Sequence, residues 1–164
     1  MACAAWALGE SGVDLVDATV PWEGIVESGE DLVLHDALCP MTPPGFLTGC
    51  VEASVVQDAV VVGTRPVTDT VKRIEGDLVA DGVDRASLLA VASPLVVPAR
   101  VVATLAEHPP VDLAVAVAGL AAAGHPVVGV EAPPEGRRVS SPADVRLLEA
   151  LSAAAQPAPR PPGP

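Results

Sequence analysis

Hydrophobic residues in this chain fall into short continuous runs, and segments with helical spacing lie between them. Runs that are apolar at consecutive positions and bounded by polar residues, Gly or Pro predict strands. Because alternate positions are not polar, both faces of each strand should be covered, as in a parallel sheet. The predicted strands are residues 31–36, 59–63, 88–94 and 126–132.

The segments between these strands predict helices. Pro43 and Pro44 suit the first turn of one helix. Ser141 followed by Pro142 predicts the N-cap and first position of another, with Asp144 in its first turn. Since strands and helices alternate, the pattern predicts the α/β class with a mainly parallel sheet. The predicted helices cover residues 43–54, 98–108, 113–123 and 141–155.

Residues 66–85 differ from the rest of the chain because polar and charged side chains are concentrated there. The sequences TVKRI and LVADGV flank residues 75–77, and this Glu-Gly-Asp segment predicts a turn between two antiparallel strands. Taken alone, such a ribbon is a solvated hairpin whose charges keep an exposed edge soluble. Its polar residues include Thr68, Asp69, Thr70, Lys72, Arg73, Asp84 and Arg85.

The composition excludes one class of partner. The 164 residues carry a formal net charge of −12, and aromatic residues make up only 2% of the chain. A nucleic acid would be repelled by this charge and would find few rings on which to stack its bases, so no nucleic-acid partner is expected. A small phosphorylated ligand is compatible with this net charge, because a local cluster of basic residues can attract it despite the negative potential of the whole chain.

Cysteine usage and the absence of a leader predict a cytoplasmic protein with free thiols. Cys3, Cys39 and Cys50 are odd in number and form no CxxC pair, and no basic-then-apolar leader precedes them. The longest apolar run, residues 113–130, is interrupted by His125 and Pro126. It predicts a buried helix followed by a buried strand, so no membrane partner is expected.

Three sequence blocks occur in an order that points to a known family. They read LVLHDALCP, then PVTDTVKR with GVDRASLLAVASP, then RRVSSPADVRLLEA. Over roughly residues 31–152 they resemble the 2-C-methyl-D-erythritol 4-phosphate cytidylyltransferase family of isoprenoid precursor synthesis. The resemblance implies a Rossmann-like, nucleotide-diphospho-sugar transferase-like fold with a projecting β-arm. It also implies transfer of a cytidylyl group from CTP to a sugar-alcohol phosphate, with Mg²⁺ and release of pyrophosphate.

The resemblance assigns candidate substrate-binding residues but no catalytic residue. Asp36 stands where the family has an acidic residue near the ribose, the metal and the substrate, so it is also the candidate Mg²⁺ ligand. Thr70 and Arg85 match positions of the arm that reach the substrate of a second subunit, which implies a homodimer or heterodimer. Ser93 replaces a threonine, and Arg138 replaces a substrate-contacting lysine.

Other positions depart from the family pattern. Cys39 replaces an arginine, and Leu95 replaces a glutamine. Val111 stands where a Thr-Asp-Glu-Ala-Ser motif has a substrate-binding threonine, and of that motif's polar residues only Asp112 remains. Residues 1–30 lack the family's glycine-rich loop and contain no Lys or Arg. In the family, that loop and its basic residues hold the triphosphate. We therefore expect the isolated chain to be inactive.

The predicted organisation has three parts. A divergent N-terminal segment covers residues 1–30, the cytidylyltransferase-like α/β domain covers residues 31–155 with a β-arm at about 66–87, and a Pro-rich disordered tail covers 156–164. Three functional interpretations stay open: a truncated or degenerate enzyme, a catalytically inactive subunit whose arm completes the site of a partner, and a phosphometabolite-binding protein.

Overall fold

A computed structural model describes residues 12–16, 19–68, 72–75, 78–82 and 84–155. Short 3₁₀ turns lie at Arg85–Ser87 and Pro134–Gly136. The helices and strands, in chain order, are α1 (Trp22–Ser28), β1 (Leu32–Leu34), α2 (Pro44–Gln57), β2 (Val60–Pro66), β3 (Lys72–Glu75), β4 (Leu78–Gly82), β5 (Leu89–Val97), α3 (Ala99–Val102), α4 (Leu113–Ala122), β6 (Val127–Glu131) and α5 (Pro142–Ala155).

The main sheet is a mixed sheet with the strand order β1-β5-β2-β6. Strand β5 is antiparallel to both β1 and β2, whereas β2 and β6 are parallel. Strands β1, β2 and β6 therefore run in one direction, and β5 runs in the other. The predicted α/β class is confirmed, but the expectation of a mainly parallel sheet is wrong for β5, because two of the three strand pairs are antiparallel.

The direction of β5 follows from the connection that precedes it. The strands β3 and β4 return the chain to the end of β2, where Pro66 pairs with Leu89, so β5 runs back alongside β2. The continuous apolar run of β5 reflects cover on both faces, since Leu95 and Val97 pack in one core cluster and Val96 packs in another. A continuous apolar run therefore predicts that both faces of a strand are buried, but it does not predict whether the strand is parallel or antiparallel to its neighbours.

Residues 66–85 contain the predicted antiparallel ribbon. Strands β3 and β4 pair with each other in a two-stranded sheet that is separate from the main sheet. At its base, Nη1 of Arg85 donates a hydrogen bond to the carbonyl oxygen of Thr68 over 2.8 Å. Residues 76 and 77 of the expected turn lie outside the described residues, as does Thr70. Docking of this β3–β4 ribbon on a second subunit stays a prediction.

The start of α5 is as predicted. The hydroxyl of Ser141 donates to Oδ2 of Asp144 over 2.8 Å, and the backbone N–H of Ser140 donates to the same oxygen over 3.0 Å. These hydrogen bonds, led by that of Ser141, lower the pKa of Asp144 to about 2. Asp112 caps α4 in a related way by accepting hydrogen bonds from the backbone N–H groups of Ala114 and Val115.

Helix α3 is shorter than expected, with four residues instead of the eleven predicted. The hydroxyl of Thr104 donates to the carbonyl oxygen of Val101 over 2.7 Å, which competes with continuation of the helix. The carbonyl of Leu105 then accepts a hydrogen bond from the indole of Trp22 over 3.2 Å. This contact joins α1 to the segment after α3, and Trp22 packs against one core cluster.

Within the described residues, no helix is long and apolar enough to cross a lipid bilayer. The expected tail at residues 156–164 lies outside the described residues, as do Cys3 and Trp6. The predicted boundary after residue 30 stays a prediction.

Candidate functional site

Polar residues meet at the edge of the sheet where β1, β2 and β6 end, which we call the carboxyl edge. His35 and Asp36 follow β1, Arg65 lies near the end of β2, and Arg138 lies in the segment after β6. In open α/β sheets, ligands bind outside the carboxyl ends of the strands. The carboxyl edge is therefore the candidate functional site.

A bulge in β5 carries Ser93 to this edge. Val62 pairs with Leu95 but the next residue, Gly63, pairs with Ala92, so two residues of β5 are left without partners on β2. A Cβ atom at Gly63 would lie 2.7 Å from the carbonyl oxygen of Ser93, which explains glycine opposite the bulge. Bulges re-aim side chains, and here the bulge directs Ser93 towards the end of β1.

The hydroxyl of Ser93 fixes the end of β1. It accepts a hydrogen bond from the backbone N–H of Asp36 over 3.0 Å and lies 2.7 Å from Nδ1 of His35. Ser93 is only 2% exposed, so this hydroxyl is engaged within the protein. Burial lowers the pKa of His35, opposed by a backbone hydrogen bond at Cys39 and by the charge of Asp36.

The carboxylate of Asp36 is held by two donors. Its Oδ1 accepts from the backbone N–H of Leu38 over 2.9 Å, and its Oδ2 accepts from Nε of Arg138 over 2.7 Å. Both side chains reach solvent, with exposed fractions of 28% for Asp36 and 59% for Arg138. This pair therefore presents a carboxylate and a guanidinium together at the surface of the site.

The backbone N–H of Cys39 donates to the carbonyl oxygen of Asp36 over 2.8 Å, and Cys39 is almost fully buried. Burial raises the pKa of its thiol to about 11, and the negative charge of Asp36 adds to the rise. The positive charges of Arg138 and Arg65 act in the opposite direction. The thiol is therefore neutral at physiological pH, and this position supplies no cation to the site.

The structure brings together three of the five residues predicted from the sequence, namely Asp36, Ser93 and Arg138. Arg85 lies instead at the base of the β3–β4 ribbon, where it contacts Thr68. Thr70, the fifth residue, is outside the described residues.

Two other residues of the family pattern lie at the N-terminal end of α4. Val111 is 90% exposed in the loop before α4. Asp112, which follows it, serves as the cap of that helix.

Arg65 is a residue of the edge that the sequence patterns did not indicate. Its Nη1 donates to the carbonyl oxygen of Pro133 over 3.0 Å, which ties the end of β2 to the segment after β6. One signal was available, because a basic residue two positions beyond the predicted strand at 59–63 is placed at the carboxyl end of that strand.

The described residues do not form a resident Mg²⁺ site. Both carboxylate oxygens of Asp36 already accept hydrogen bonds, and the guanidinium of Arg138 would repel a dication from this carboxylate. No group of three or more potential metal-binding side chains occurs in the described part of the chain. Proteins often hold Mg²⁺ through one carboxylate together with substrate phosphates, which is the arrangement these donors would permit.

An apolar cavity of about 580 Å³ lies beside the site, between the loop after β1 and helix α5. Leu38, Met41, Val139 and Leu148 are among its lining residues. Apolar walls do not match a phosphorylated polyol, whose hydroxyl and phosphate groups need hydrogen-bonding partners. We therefore assign the candidate site to the polar carboxyl edge and not to this cavity.

Comparison with known proteins identifies the family. The model of the 2-C-methyl-D-erythritol 4-phosphate cytidylyltransferase family matches residues 20–153. The chain belongs to this family. The enzyme of this name from Nocardia farcinica is 35% identical over 122 residues, which cover 73% of this chain and 52% of the relative. The bifunctional IspD/IspF enzyme of Solidesulfovibrio magneticus is 30% identical over 130 residues, covering 78% of this chain and 32% of the relative.

Solved structures of the family share the fold. The cytidylyltransferase from Thermus thermophilus matches with a TM-score of 0.60 and 20% identity, covering 92% of this chain and 89% of that one. The confirmed class is thus the Rossmann-like nucleotidyltransferase fold. The chain spans 57% of the length of the Corynebacterium diphtheriae relative and about a third of the bifunctional enzymes.

Proposed function

We propose that this chain binds the sugar-alcohol phosphate in a cytidylyltransferase reaction of the methylerythritol phosphate type. The observation that carries the proposal is the Asp36–Arg138 pair, held at 2.7 Å on the carboxyl edge, with the backbone N–H of Asp36 hydrogen-bonded to Ser93. Family membership supplies the substrate class, and the pair supplies groups that suit it.

The chemistry of the pair fits a phosphorylated polyol. A carboxylate accepts hydrogen bonds from hydroxyl groups, and a guanidinium binds phosphate oxygens in a planar, often bidentate geometry. Asp36 and Arg138 are both solvent-accessible, so a ligand can reach them without opening the core. The hydroxyl of Ser93 is engaged with His35 and the backbone of Asp36, so we assign it a positioning role in place of the predicted substrate contact.

We propose that the nucleotide is held poorly by the chain alone. Phosphoryl transfer depends on positioning and on neutralising developing negative charge, and residues 1–30 contain no Lys or Arg and no glycine-rich loop. Magnesium would enter with the triphosphate. The proposed partners are the alcohol phosphate and a second subunit docked through the β3–β4 ribbon, where Arg85 would reach the substrate of that subunit.

A second candidate function is that of an inactive subunit that completes the site of an intact cytidylyltransferase. Cys39 favours it, because a buried neutral thiol replaces the cation that the family pattern has at this position. Co-purification with a cytidylyltransferase supports this second function. A lone, monodisperse chain that leaves the rate of such an enzyme unchanged contradicts it.

A pyrophosphate-release assay with CTP, Mg²⁺ and 2-C-methyl-D-erythritol 4-phosphate tests the proposal. For the isolated chain we expect no release above background, and thermal stabilisation by the alcohol phosphate but not by CTP. Release by the chain alone that disappears in the Arg85→Ala variant would show a complete enzyme and overturn this division of roles. Absence of stabilisation by the alcohol phosphate would overturn the proposed ligand.

A further inference from the structure

Arg65 is a half-buried cation on the face of β2 that also carries Val61 and Gly63. Alternation along a strand places these three residues on one face, and Val61 packs there against Cys50. The guanidinium makes one hydrogen bond to the protein, from Nη1 to the carbonyl oxygen of Pro133. In the described part of the chain, every fully buried side-chain donor has a hydrogen-bond partner. The remaining N–H groups of Arg65 have no such partner, so they reach solvent.

Within the described residues, no carboxylate forms an ion pair with Arg65. In the described residues the arginine–carboxylate pairs are Arg100–Asp58, Arg137–Asp144 and Arg138–Asp36. Glu131 is adjacent in the sheet, because it pairs with Thr64, but alternation directs it to the opposite face. An unpaired cation is unexpected in a half-buried position of a chain with 21 acidic and 9 basic residues, since partial burial disfavours an isolated charge.

Arg65 and Arg138 are linked through the segment of residues 133–139 that follows β6. Arg65 binds this segment at Pro133, and at its other end the N–H of Val139, next to Arg138, donates to the carbonyl oxygen of Leu38 over 2.7 Å. The positive charges of Arg138 and Arg65 both act to lower the pKa of the thiol of Cys39, one residue after Leu38. The two cations therefore converge on the same loop at the carboxyl edge.

Arg138 alone would be a weak anion site, because Asp36 already neutralises its charge. An incoming phosphate would meet a zwitterionic pair with no net positive charge and would be repelled by the carboxylate. Arg65 supplies the missing positive charge from the neighbouring strand, and each guanidinium has five N–H donors, of which one is used in Arg65 by Pro133. A dianion seated between them could engage both forks.

We infer that Arg65 and Arg138 together bind the phosphate monoester of the ligand, with Arg65 supplying the uncompensated charge. This inference rests on the proposed function, because it names the residue that fixes the phosphate end of the same ligand. Under this inference Arg65 is a ligand-binding residue of the site. In a purely structural role, Arg65 would serve only to donate its hydrogen bond to the carbonyl oxygen of Pro133.

Isothermal titration of the full chain with inorganic phosphate and with 2-C-methyl-D-erythritol 4-phosphate, at low ionic strength, tests the inference. Arg65→Gln should weaken the binding of both ligands by at least tenfold. Arg146→Gln, which removes the same charge from an exposed position of α5, should change it by less than twofold. Arg65→Lys keeps the charge without the fork and should give an intermediate loss.

Equal affinities for Arg65→Gln and Arg146→Gln would overturn the inference. If Arg65→Gln does not fold, the side-chain Nε–H resonance of Arg65 in the unmodified chain decides, since it should shift saturably with phosphate and an unchanged resonance contradicts the inference. Loss of alcohol-phosphate binding in Arg138→Ala but not in Arg65→Gln would sink the inference and leave the proposed function standing. Binding that survives both substitutions would sink both.

Discussion

The hydroxyl of Ser93 lies 2.7 Å from Nδ1 of His35, so the bulge of β5 and the end of β1 are joined by a buried side chain. The same oxygen accepts the backbone N–H of Asp36, which places the carboxylate that faces the site. The geometry of the candidate site thus depends on a hydroxyl that is only 2% exposed.

Replacing Ser93 with alanine should destabilise the chain by about 1–3 kcal/mol, because a buried donor and a histidine nitrogen lose their partner. Urea denaturation followed by circular dichroism measures the change. Ser152→Ala is the matched control, since Ser152 is half-buried in α5. It should alter the free energy of unfolding by less than about 0.5 kcal/mol. Equal effects of the two substitutions would show that the Ser93 hydroxyl is not holding the loop.

His35 should make the free energy of unfolding rise with pH. Burial lowers its pKa in the folded state, so the unfolded chain binds the proton more tightly. This contribution is complete above the unfolded pKa of about 6.5, and it is lost as the pH falls through that value towards the lower folded pKa. Urea midpoints between pH 5 and 8 measure it, and His35→Asn should flatten this part of the profile. An unchanged slope in the variant contradicts the assignment.

Gly63→Ala should destabilise the chain by about 1–3 kcal/mol through overpacking. The added Cβ would lie 2.7 Å from the carbonyl oxygen of Ser93, which belongs to the backbone and cannot rotate away. Gly49→Ala in α2 is the opposite-sign control, because a Cβ there has no neighbour within 4 Å and alanine favours a helix. Thermal melting of both variants gives the comparison, and a neutral Gly63→Ala would disprove the tight approach at the bulge.

Cys39 and Cys50 should resist alkylation in the native chain. Burial raises the pKa of each thiol to about 11, so at pH 8 only about one molecule in a thousand carries the reactive thiolate. Iodoacetamide labelling resolved by peptide mass spectrometry should modify both residues slowly before urea is added and quickly after. Rapid native labelling of Cys39 would mean that the loop after β1 opens readily.

Local sequence signals predicted the elements whose structure depends on neighbouring residues. Ser141 and Pro142 predicted the start of α5, and the Glu-Gly-Asp segment predicted the β3–β4 ribbon, because caps and turns are decided within a few residues. The direction of β5 could not be predicted in this way, since it depends on where the ribbon returns the chain.

The candidate site likewise depends on contacts between residues that are distant in the sequence, which local patterns do not predict. Asp36 and Arg138 are 102 residues apart, and only the motif resemblance linked them before the fold brought them together. The substrate contact that the resemblance suggests for Ser93 stays a prediction, and the contact of its hydroxyl with Nδ1 of His35 became visible only in the fold. Arg65 belongs to none of the quoted motifs, so only the strand order placed it at the edge.

Calorimetric titration with 2-C-methyl-D-erythritol 4-phosphate tests the central claim most directly, with Arg138→Ala compared against Arg100→Ala. Both substitutions break an exposed arginine–aspartate pair, so each should change stability by no more than about 1 kcal/mol. We predict saturable binding that falls at least tenfold in Arg138→Ala and stays within twofold in Arg100→Ala. Undiminished binding in Arg138→Ala, or no binding by the unmodified chain, would contradict a sugar-alcohol phosphate site at the carboxyl edge.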